Sequence, residues 1–226
     1  MKKIIIIGSG SNKKIIPKKT NYYICCNSSK IRISKAKVNL QCIALSESII
    51  GNKKKIFNLK NKNFIGMSKL KSIKIRKNKI NILKKTICET LLVYSNSSSK
   101  EIKKRIFELK INYRQLIILS HRKVFYEIIK FLDLKKLKLI LKRAGLFKIL
   151  KFLITGNLPI EVKPSIGGVA VLWAKLEFKH ENIFLNGIGS SNNVYYPFGK
   201  KLKKFKFNQA HKKIDDLIIS SIIKKN

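Results

Sequence analysis

The first twelve residues, Met1 to Asn12, read "MKKIIIIGSGSN" and indicate how the chain folds. Four consecutive isoleucines, Ile4 to Ile7, are typical of a strand buried on both faces of a sheet. The strand runs into a turn in which Gly8 and Gly10 flank Ser9. A buried strand followed by a glycine turn is typical of α/β nucleotide-binding units. The stretch therefore predicts a parallel sheet with a ligand site at its carboxyl edge.

The glycine turn departs from the dinucleotide fingerprint in two places. The third glycine of that fingerprint would fall near Lys13 and is missing. The next predicted strand, "NYYICCN", ends at Asn27, where a dinucleotide-binding protein carries an acidic residue for the ribose. NAD and FAD are therefore disfavoured, whereas the bare backbone N–H groups of the turn still suit a phosphate or a nucleoside.

Further buried-strand patterns follow along the chain and end in small polar or glycine residues. They are "VNLQCIALS" (Val38–Ser46), "ETLLVYS", "QLIILS" and "NIFLNG", which ends at Gly187. This alternation predicts an α/β fold, with a mainly parallel, Rossmann-like sheet and helices on both faces. We expect residues 1–226 to form a single domain, since one domain commonly has about 150 residues.

Residues 121–155 have a basic amphipathic pattern with apolar residues at helical spacing and a break at Gly145. Two interpretations are open. The segment is a small helical lid subdomain over the mouth of the site, which we favour, or it is a subdomain that faces an anionic membrane.

The composition limits the choice of partner. The chain has 51 Lys and Arg against 11 Asp and Glu, a formal net charge of +40, which suits polyanions. The lysines are spread along the whole chain without an RNP-like or zinc-finger pattern, so nucleic acid is disfavoured. No apolar run reaches the roughly 18 residues of a membrane span, and the four cysteines lack a CxxC pattern and suit a reducing cytosol. We therefore expect a cytoplasmic protein, with peripheral contact at the inner face of the membrane as a second role.

The stretch "KPSIGGVAVLWA", Lys163 to Ala174, predicts a helix that begins just after a cap at Ser165. Pro164 keeps the preceding residue extended, and Gly167 and Gly168 would let a ligand approach the backbone closely. A helix N-terminus beside a lysine is a candidate anion site. The alternative is a tightly packed helix start with a solvated lysine.

Four motifs, together with their order along the chain, resemble those of a known family. "KPSIGG" is similar to the "(R/K)-P-S-T-G" core of the sialyltransferase small motif, and "NIFLNGIG" resembles the strand that follows it. The opening "MKKIIIIGSGSN…YYICCN" and the strand "ETLLVYSNSSS" resemble segments of bacterial lipooligosaccharide sialyltransferases. The resemblance covers both ends of the chain and leaves the middle unmatched. It implies transfer of a sialic-acid-like sugar from a CMP-sugar, as in lipopolysaccharide biosynthesis, without a metal or another cofactor.

The resemblance also implies roles for individual residues. Asn27 matches an asparagine that contacts the nucleotide, Ser9 and Ser46 replace asparagines, and Ile166 replaces a hydroxyl residue. With the glycine turns added, the expected nucleotide-binding set is Gly8, Ser9, Gly10, Asn27, Ser46, Ser165, Gly167, Gly168 and Gly187. The expected catalytic set is Lys163, in place of an arginine near the donor, Tyr195 and Tyr196 near the leaving phosphate, and His211 as the general base.

The acidic residues agree with metal-free chemistry. Metal-dependent sugar transfer ordinarily uses an Asp-x-Asp pair, and here the two aspartates Asp215 and Asp216 are directly adjacent. The expected function is a metal-independent glycosyltransferase whose partners are a CMP-activated acid sugar and a glycan or glycolipid acceptor. The alternatives are a nucleotide- or nucleic-acid-binding α/β protein without transferase activity, and a peripheral membrane protein whose basic helices matter most.

Overall fold

The structure is a computed structural model that describes residues 3–8, 18, 21–32, 40–50, 78–159, 161–179, 182–188 and 209–223. These residues contain one sheet of six strands, all parallel. The strands are β1 (Lys3–Ile7), β2 (Asn21–Cys26), β3 (Leu40–Ser46), β4 (Ile87–Tyr94), β5 (Asn112–Leu119) and β6 (Asn182–Asn186). Helices cover both faces of the sheet, so the predicted α/β, Rossmann-like class is confirmed.

Besides a helical stretch at residues 78–83, seven α-helices lie in the described part of the chain. They are α1 (Glu47–Ile50), α2 (Ser99–Glu108), α3 (His121–Phe131), α4 (Leu134–Ala144), α5 (Leu146–Thr155), α6 (Ile166–Glu177) and α7 (Gln209–Ile222). The predicted cap is present, since Ser165 caps α6, and Ser98 caps α2 in the same way. Gly145, with a φ of 78°, separates α4 from α5, as expected for a glycine that breaks a helical pattern.

The strand order is β5-β4-β3-β2-β1-β6, so β1 lies between β2 and β6. The register aligns the carboxyl ends: Ile7 pairs with Cys25 and with Asn186, and Tyr94 pairs with Ser46 and with Leu119. The chain therefore crosses the whole sheet between β5 and β6, and the strand order reverses beside β1. In open parallel sheets this reversal creates a crevice where ligands bind.

Apolar side chains are buried on both faces of the sheet, because strand side chains alternate between the two faces. One face, which includes Ile4, Ile24 and Tyr94, is covered by α3 to α7. The other face, which includes Ile43 and Val93, is covered by α1 and α2. Cys25, Cys26, Cys42 and Cys88 are all buried and form no disulfide bond.

Helix α6 is the central helix of the first face. Every residue from Ile166 to Ala174 is buried, and the helix packs against β1, β2, β3 and α7. A helix with no solvent-exposed side over its first nine residues needs small residues where other elements approach closely. In the described part of the chain, no helix has the length and apolar character needed to cross a membrane.

Candidate functional site

Asn27 and Ser46, two predicted nucleotide-binding residues, meet at the carboxyl edge of the sheet. Asn27 follows β2 with a φ of 52°, a left-handed conformation that asparagine tolerates better than most residues. Its Oδ1 accepts hydrogen bonds from the backbone N–H of Ser46 over 3.0 Å and from the Ser46 hydroxyl over 3.2 Å. The pair therefore ties the end of β2 to the end of β3.

Gly8 and Gly187 also lie together, where β1 and β6 end. The N–H of Gly8 donates to the Asn186 carbonyl over 2.8 Å, and a Cβ at Gly8 would come within 2.4 Å of the Gly187 carbonyl oxygen. This close approach of two backbones explains why a residue without a side chain follows β1. Gly187 has a φ of 72°, which favours glycine for a separate reason.

The start of α6 is occupied by protein groups. Ser165 Oγ accepts from the N–H of Gly167 over 3.1 Å and of Gly168 over 3.3 Å, and the Ser165 N–H donates to Asp215 Oδ1 over 2.9 Å. A Cβ at Gly168 would lie 2.4 Å from Asp215 Oδ1. These contacts match the tightly packed helix start that the sequence left open as an alternative, and a carboxyl group of α7 lies at the N-terminus of α6.

The Asp215 carboxyl group is buried, and burial raises its pKa to about 6, against the hydrogen bonds from Ser165 that act in the opposite direction. Near pH 6 this carboxyl therefore takes up and loses a proton next to the helix N-terminus. A phosphate at the same N-terminus would meet less repulsion when Asp215 is protonated. The phosphate-binding role of Ser165, Gly167 and Gly168 stays a prediction.

Lys163 lies beside a carboxylate that sequence reasoning missed. Its Nζ is 3.0 Å from Glu47 Oε2, and it sits 5.7 Å from the centroid of the Tyr94 ring. Glu47 is the first residue of α1 and follows β3 directly. Burial raises the pKa of the Glu47 carboxyl, but Lys163 and, more weakly, His121 outweigh it and hold that pKa below its usual value. Lys163 and Glu47 therefore form a partly exposed ion pair at the carboxyl edge.

His121 lies on the other side of Glu47, at the start of α3. Its side chain is only 3% exposed, its Nε2 is 3.5 Å from Glu47 Oε2, and its ring centroid is 4.8 Å from that of Tyr94. The 3.5 Å contact lacks hydrogen-bond geometry, and neither imidazole nitrogen nor the Tyr94 hydroxyl has a hydrogen-bond partner among the described residues. Burial, assisted by Lys163 and opposed by Glu47, lowers the pKa of His121 to about 4. The imidazole is therefore neutral near pH 7, with buried nitrogens that are available to a partner.

Asn96 connects this edge of the sheet to the predicted lid subdomain. Its Oδ1 accepts from the His121 N–H over 2.8 Å, and its Nδ2 donates to the Gly156 carbonyl over 2.7 Å and to Asn157 Oδ1 over 2.8 Å. One side chain after β4 thus fixes the start of α3 and the end of α5. The helices at 121–155 are observed, but their action as a lid stays a prediction.

Four predicted site residues, Ser9, Gly10, Tyr195 and Tyr196, lie outside the described residues. His211 falls in the first turn of α7, and its side chain lies outside the description. The site therefore brings together Lys163, Ser165, Asn27, Ser46 and the glycines, and adds three groups around Lys163. Those three are Glu47, Tyr94 and His121.

A signal for Glu47 was available in the sequence. It is one of only 11 acidic residues and directly follows a predicted strand, where polar residues of a parallel sheet reach the ligand edge. Its pairing with Lys163 could not be predicted, because the two residues are 116 positions apart. Among the described residues, no group of three His, Cys, Asp or Glu side chains could hold a metal ion.

Comparison with known proteins gives no relative: no family model, curated protein or solved structure matches this chain. The resemblance to sialyltransferases therefore depends on the four motifs alone. The activity that it implies is a proposal.

Proposed function

We propose that this protein is a metal-independent glycosyltransferase that moves a sialic-acid-like sugar from a CMP-sugar to a glycan or a lipid-linked saccharide. The observation that carries the proposal is the cluster of Lys163, Glu47 and His121. Three distant segments place a cation, a carboxylate and a neutral imidazole at the carboxyl edge of one parallel sheet. This edge is where α/β proteins bind nucleotides.

The chemistry requires a cation and a base. The bond between the anomeric carbon of the sugar and the CMP phosphate breaks, and the bonding electrons leave with CMP. A new bond forms between that carbon and the acceptor oxygen, whose proton passes to a base. Lys163 would stabilise the negative charge that develops on the phosphate, together with Tyr195 or Tyr196. His211 is the proposed base, since an imidazole is suited to proton transfer near neutral pH.

Before the donor binds, Glu47 forms an ion pair with Lys163. The ion pair holds the ammonium group in place at 3.0 Å, so less side-chain entropy is lost when a phosphate arrives. A phosphate that reaches Lys163 must also come close to the Glu47 carboxylate, which repels it. Donor affinity in this proposal is the balance between the two charges.

The proposed location follows from the acceptor. A lipid-linked saccharide is presented at a membrane surface, so we propose a cytoplasmic protein in peripheral contact with the inner face of the membrane. The net charge of +40 suits the anionic lipids of that face.

A second function is favoured by the Asp215 contact. A carboxyl group next to the α6 N-terminus occupies the position that a phosphate would take in a typical helix-terminus site. A nucleotide- or nucleic-acid-binding α/β protein without transferase activity would keep the fold and would tolerate the loss of the phosphate position at this helix N-terminus.

Ligand-dependent thermal unfolding separates the two functions. For the transferase, CMP should raise the melting temperature in a saturable way, whereas UDP and NAD at equal concentration should not. Turnover of a CMP-sugar with release of CMP would then establish the activity. Equal, salt-sensitive stabilisation by CMP, UDP and an unrelated polyanion such as heparin would favour the second function.

A further inference from the structure

Helix α5 carries an apolar surface that the core does not use. Its buried residues, Ile149 and Phe152, lie on one side of the helix. Five apolar residues are exposed on the adjoining side of the helix: Leu146, Phe147, Leu150, Leu153 and Ile154. At 3.6 residues per turn these five fall within one arc of about 120°. We call them the apolar arc.

The exposure of the apolar arc is unusual for a water-facing helix. Phe147 is 79% exposed and Ile154 is 83% exposed. Single exposed apolar residues need no explanation, whereas five that share one helix face indicate an interaction surface.

The neighbouring helix supplies a basic strip. Lys135, Lys138 and Lys142 are exposed on α4 and fall within about 60° of one another around the helix axis. Residues 134–155 contain seven lysines and arginines and no acidic residue. Helices α4 and α5 pack against each other, and their buried residues belong to the same core, so both exposed faces point away from it.

We propose that the apolar arc and the basic strip dock on an anionic lipid bilayer. An apolar helix face beside lysines is the arrangement of helices that lie in the headgroup region, with the apolar residues at the acyl boundary and the ammonium groups at the phosphates. The charge of the strip selects this occupant over a second copy of the chain, because two lysine strips would repel each other. This inference assigns residues to the membrane contact proposed above, and it does not depend on transferase activity.

The fold gives the docking surface a fixed orientation relative to the candidate site. Asn96 bonds to Gly156 and Asn157, which directly follow α5, and to the N–H of His121 in the site. Docking through α5 would therefore hold the carboxyl edge of the sheet at a constant distance from the lipid surface.

Co-sedimentation with vesicles tests the docking surface in the absence of any donor. The full chain should bind phosphatidylcholine vesicles that contain about 30% phosphatidylglycerol and should bind pure phosphatidylcholine at least tenfold more weakly. Phe147→Glu combined with Ile154→Glu should lower binding to the anionic vesicles at least tenfold. Lys135→Gln, Lys138→Gln and Lys142→Gln together should lower binding and reduce its dependence on salt.

Phe107→Glu is the matched control. Phe107 is 84% exposed on α2, which covers the opposite face of the sheet, so this variant should bind vesicles like the wild type. In a second measurement, the fluorescence of Phe147→Trp should shift to shorter wavelength with anionic vesicles and that of Phe107→Trp should not, against the constant background of the buried Trp173.

Three results would overturn the proposal. Equal weakening by Phe107→Glu and by the arc variant would show binding through general charge. Unchanged binding of a folded arc variant would show that another surface docks. A dimer in light scattering that dissociates in the arc variant would identify a second copy of the chain as the occupant. None of these results bears on stabilisation by CMP, which reports on the proposed transferase.

Discussion

The backbone N–H of Ser165 donates a 2.9 Å hydrogen bond to Asp215 Oδ1, which joins the start of α6 to the last helix of the chain. The carboxyl is buried, with a pKa of about 6 in the folded protein against an ordinary 3.8. His121 is also buried and is shifted in the opposite direction, to about 4 from 6.5. The two groups therefore make the free energy of unfolding depend on pH with opposite signs.

For Asp215, the folded state binds the proton more tightly than the unfolded state. Its stabilisation is complete below pH 3.8 and is lost as the pH rises through about 6. The shift corresponds to about 3 kcal/mol. In Asp215→Asn the titration of His121 should dominate the pH dependence of stability. The free energy of unfolding, measured by urea unfolding, should therefore rise as the pH is raised from 4 to 6.5. Asp216→Asn, at the half-buried neighbouring position, is the control and should change the profile little, because the Asp216 charge is the smallest contribution to the raised pKa of Asp215.

For His121, the unfolded state binds the proton more tightly. Its stabilisation is complete above pH 6.5 and is lost as the pH falls through about 4. His121→Phe keeps a ring against Tyr94 and removes the imidazole titration. Stability should then fall as the pH rises from about 4.5 to 6, because the raised pKa of Asp215 dominates this interval, whereas the lowered pKa values of Glu47 and Glu161 act below it. Parallel profiles for the wild type and both variants would contradict the two assignments.

Gly168→Ala should destabilise the fold by about 1–3 kcal/mol, the usual range for overpacking a core. The added Cβ would lie 2.4 Å from Asp215 Oδ1, although alanine would otherwise be favoured inside a helix. Gly167→Ala is the matched control, since its Cβ would meet an Ile188 side chain at 3.0 Å, which can move. The cost of Gly168→Ala should shrink in an Asp215→Ala background. An undiminished cost in the double variant would exclude the carboxyl as the obstacle.

Lys163→Ala should weaken CMP binding by about 1–3 kcal/mol, the range for a lost charged hydrogen bond. Glu47→Gln should strengthen CMP binding, because it removes the carboxylate 3.0 Å from the Lys163 ammonium and keeps a group of similar shape. Isothermal titration calorimetry of both variants measures the two effects. Unchanged affinity in Lys163→Ala would remove this lysine from the donor site.

His211→Ala should lower turnover by about 100- to 10,000-fold, as expected when a general base is removed, and should leave CMP affinity nearly unchanged. Steady-state release of CMP from the sugar donor measures the loss. His180→Ala is the control among the three histidines of the chain and should keep full activity. A wild-type rate for His211→Ala would move the search for the base to His121, whose neutral ring lies 3.5 Å from the Glu47 carboxylate that pairs with Lys163.

Turnover should persist in excess EDTA, because the sequence has no Asp-x-Asp pair to hold a divalent cation on the donor phosphate. Initial rates with and without chelator, before and after added Mg²⁺, measure this. Complete loss of activity that Mg²⁺ restores would show that a metal is required.

Most of the secondary structure could be predicted from local pattern. The isoleucine run of β1, the serine caps of α2 and α6 and the break at Gly145 are short-range features, since each depends on residues only a few positions apart. The series of buried-strand patterns along the chain predicted the parallel sheet, and in a parallel sheet the carboxyl ends of all strands lie at one edge. These predictions held because backbone hydrogen bonding and side-chain alternation repeat over a few residues.

The site depended on contacts that no local pattern encodes. Lys163 was predicted to be a donor-binding cation, yet its partner Glu47 is 116 residues away, and Asp215 meets Ser165 across 50 residues. Gly168 was interpreted as space for a ligand, and the tertiary structure places the Asp215 carboxyl in that space. The sequence by itself thus determined the strands, helices and caps, because their energetics are local. Only the packing of α6 between the sheet and α7 decided which charges are paired, which nitrogens are buried and which pKa values are shifted.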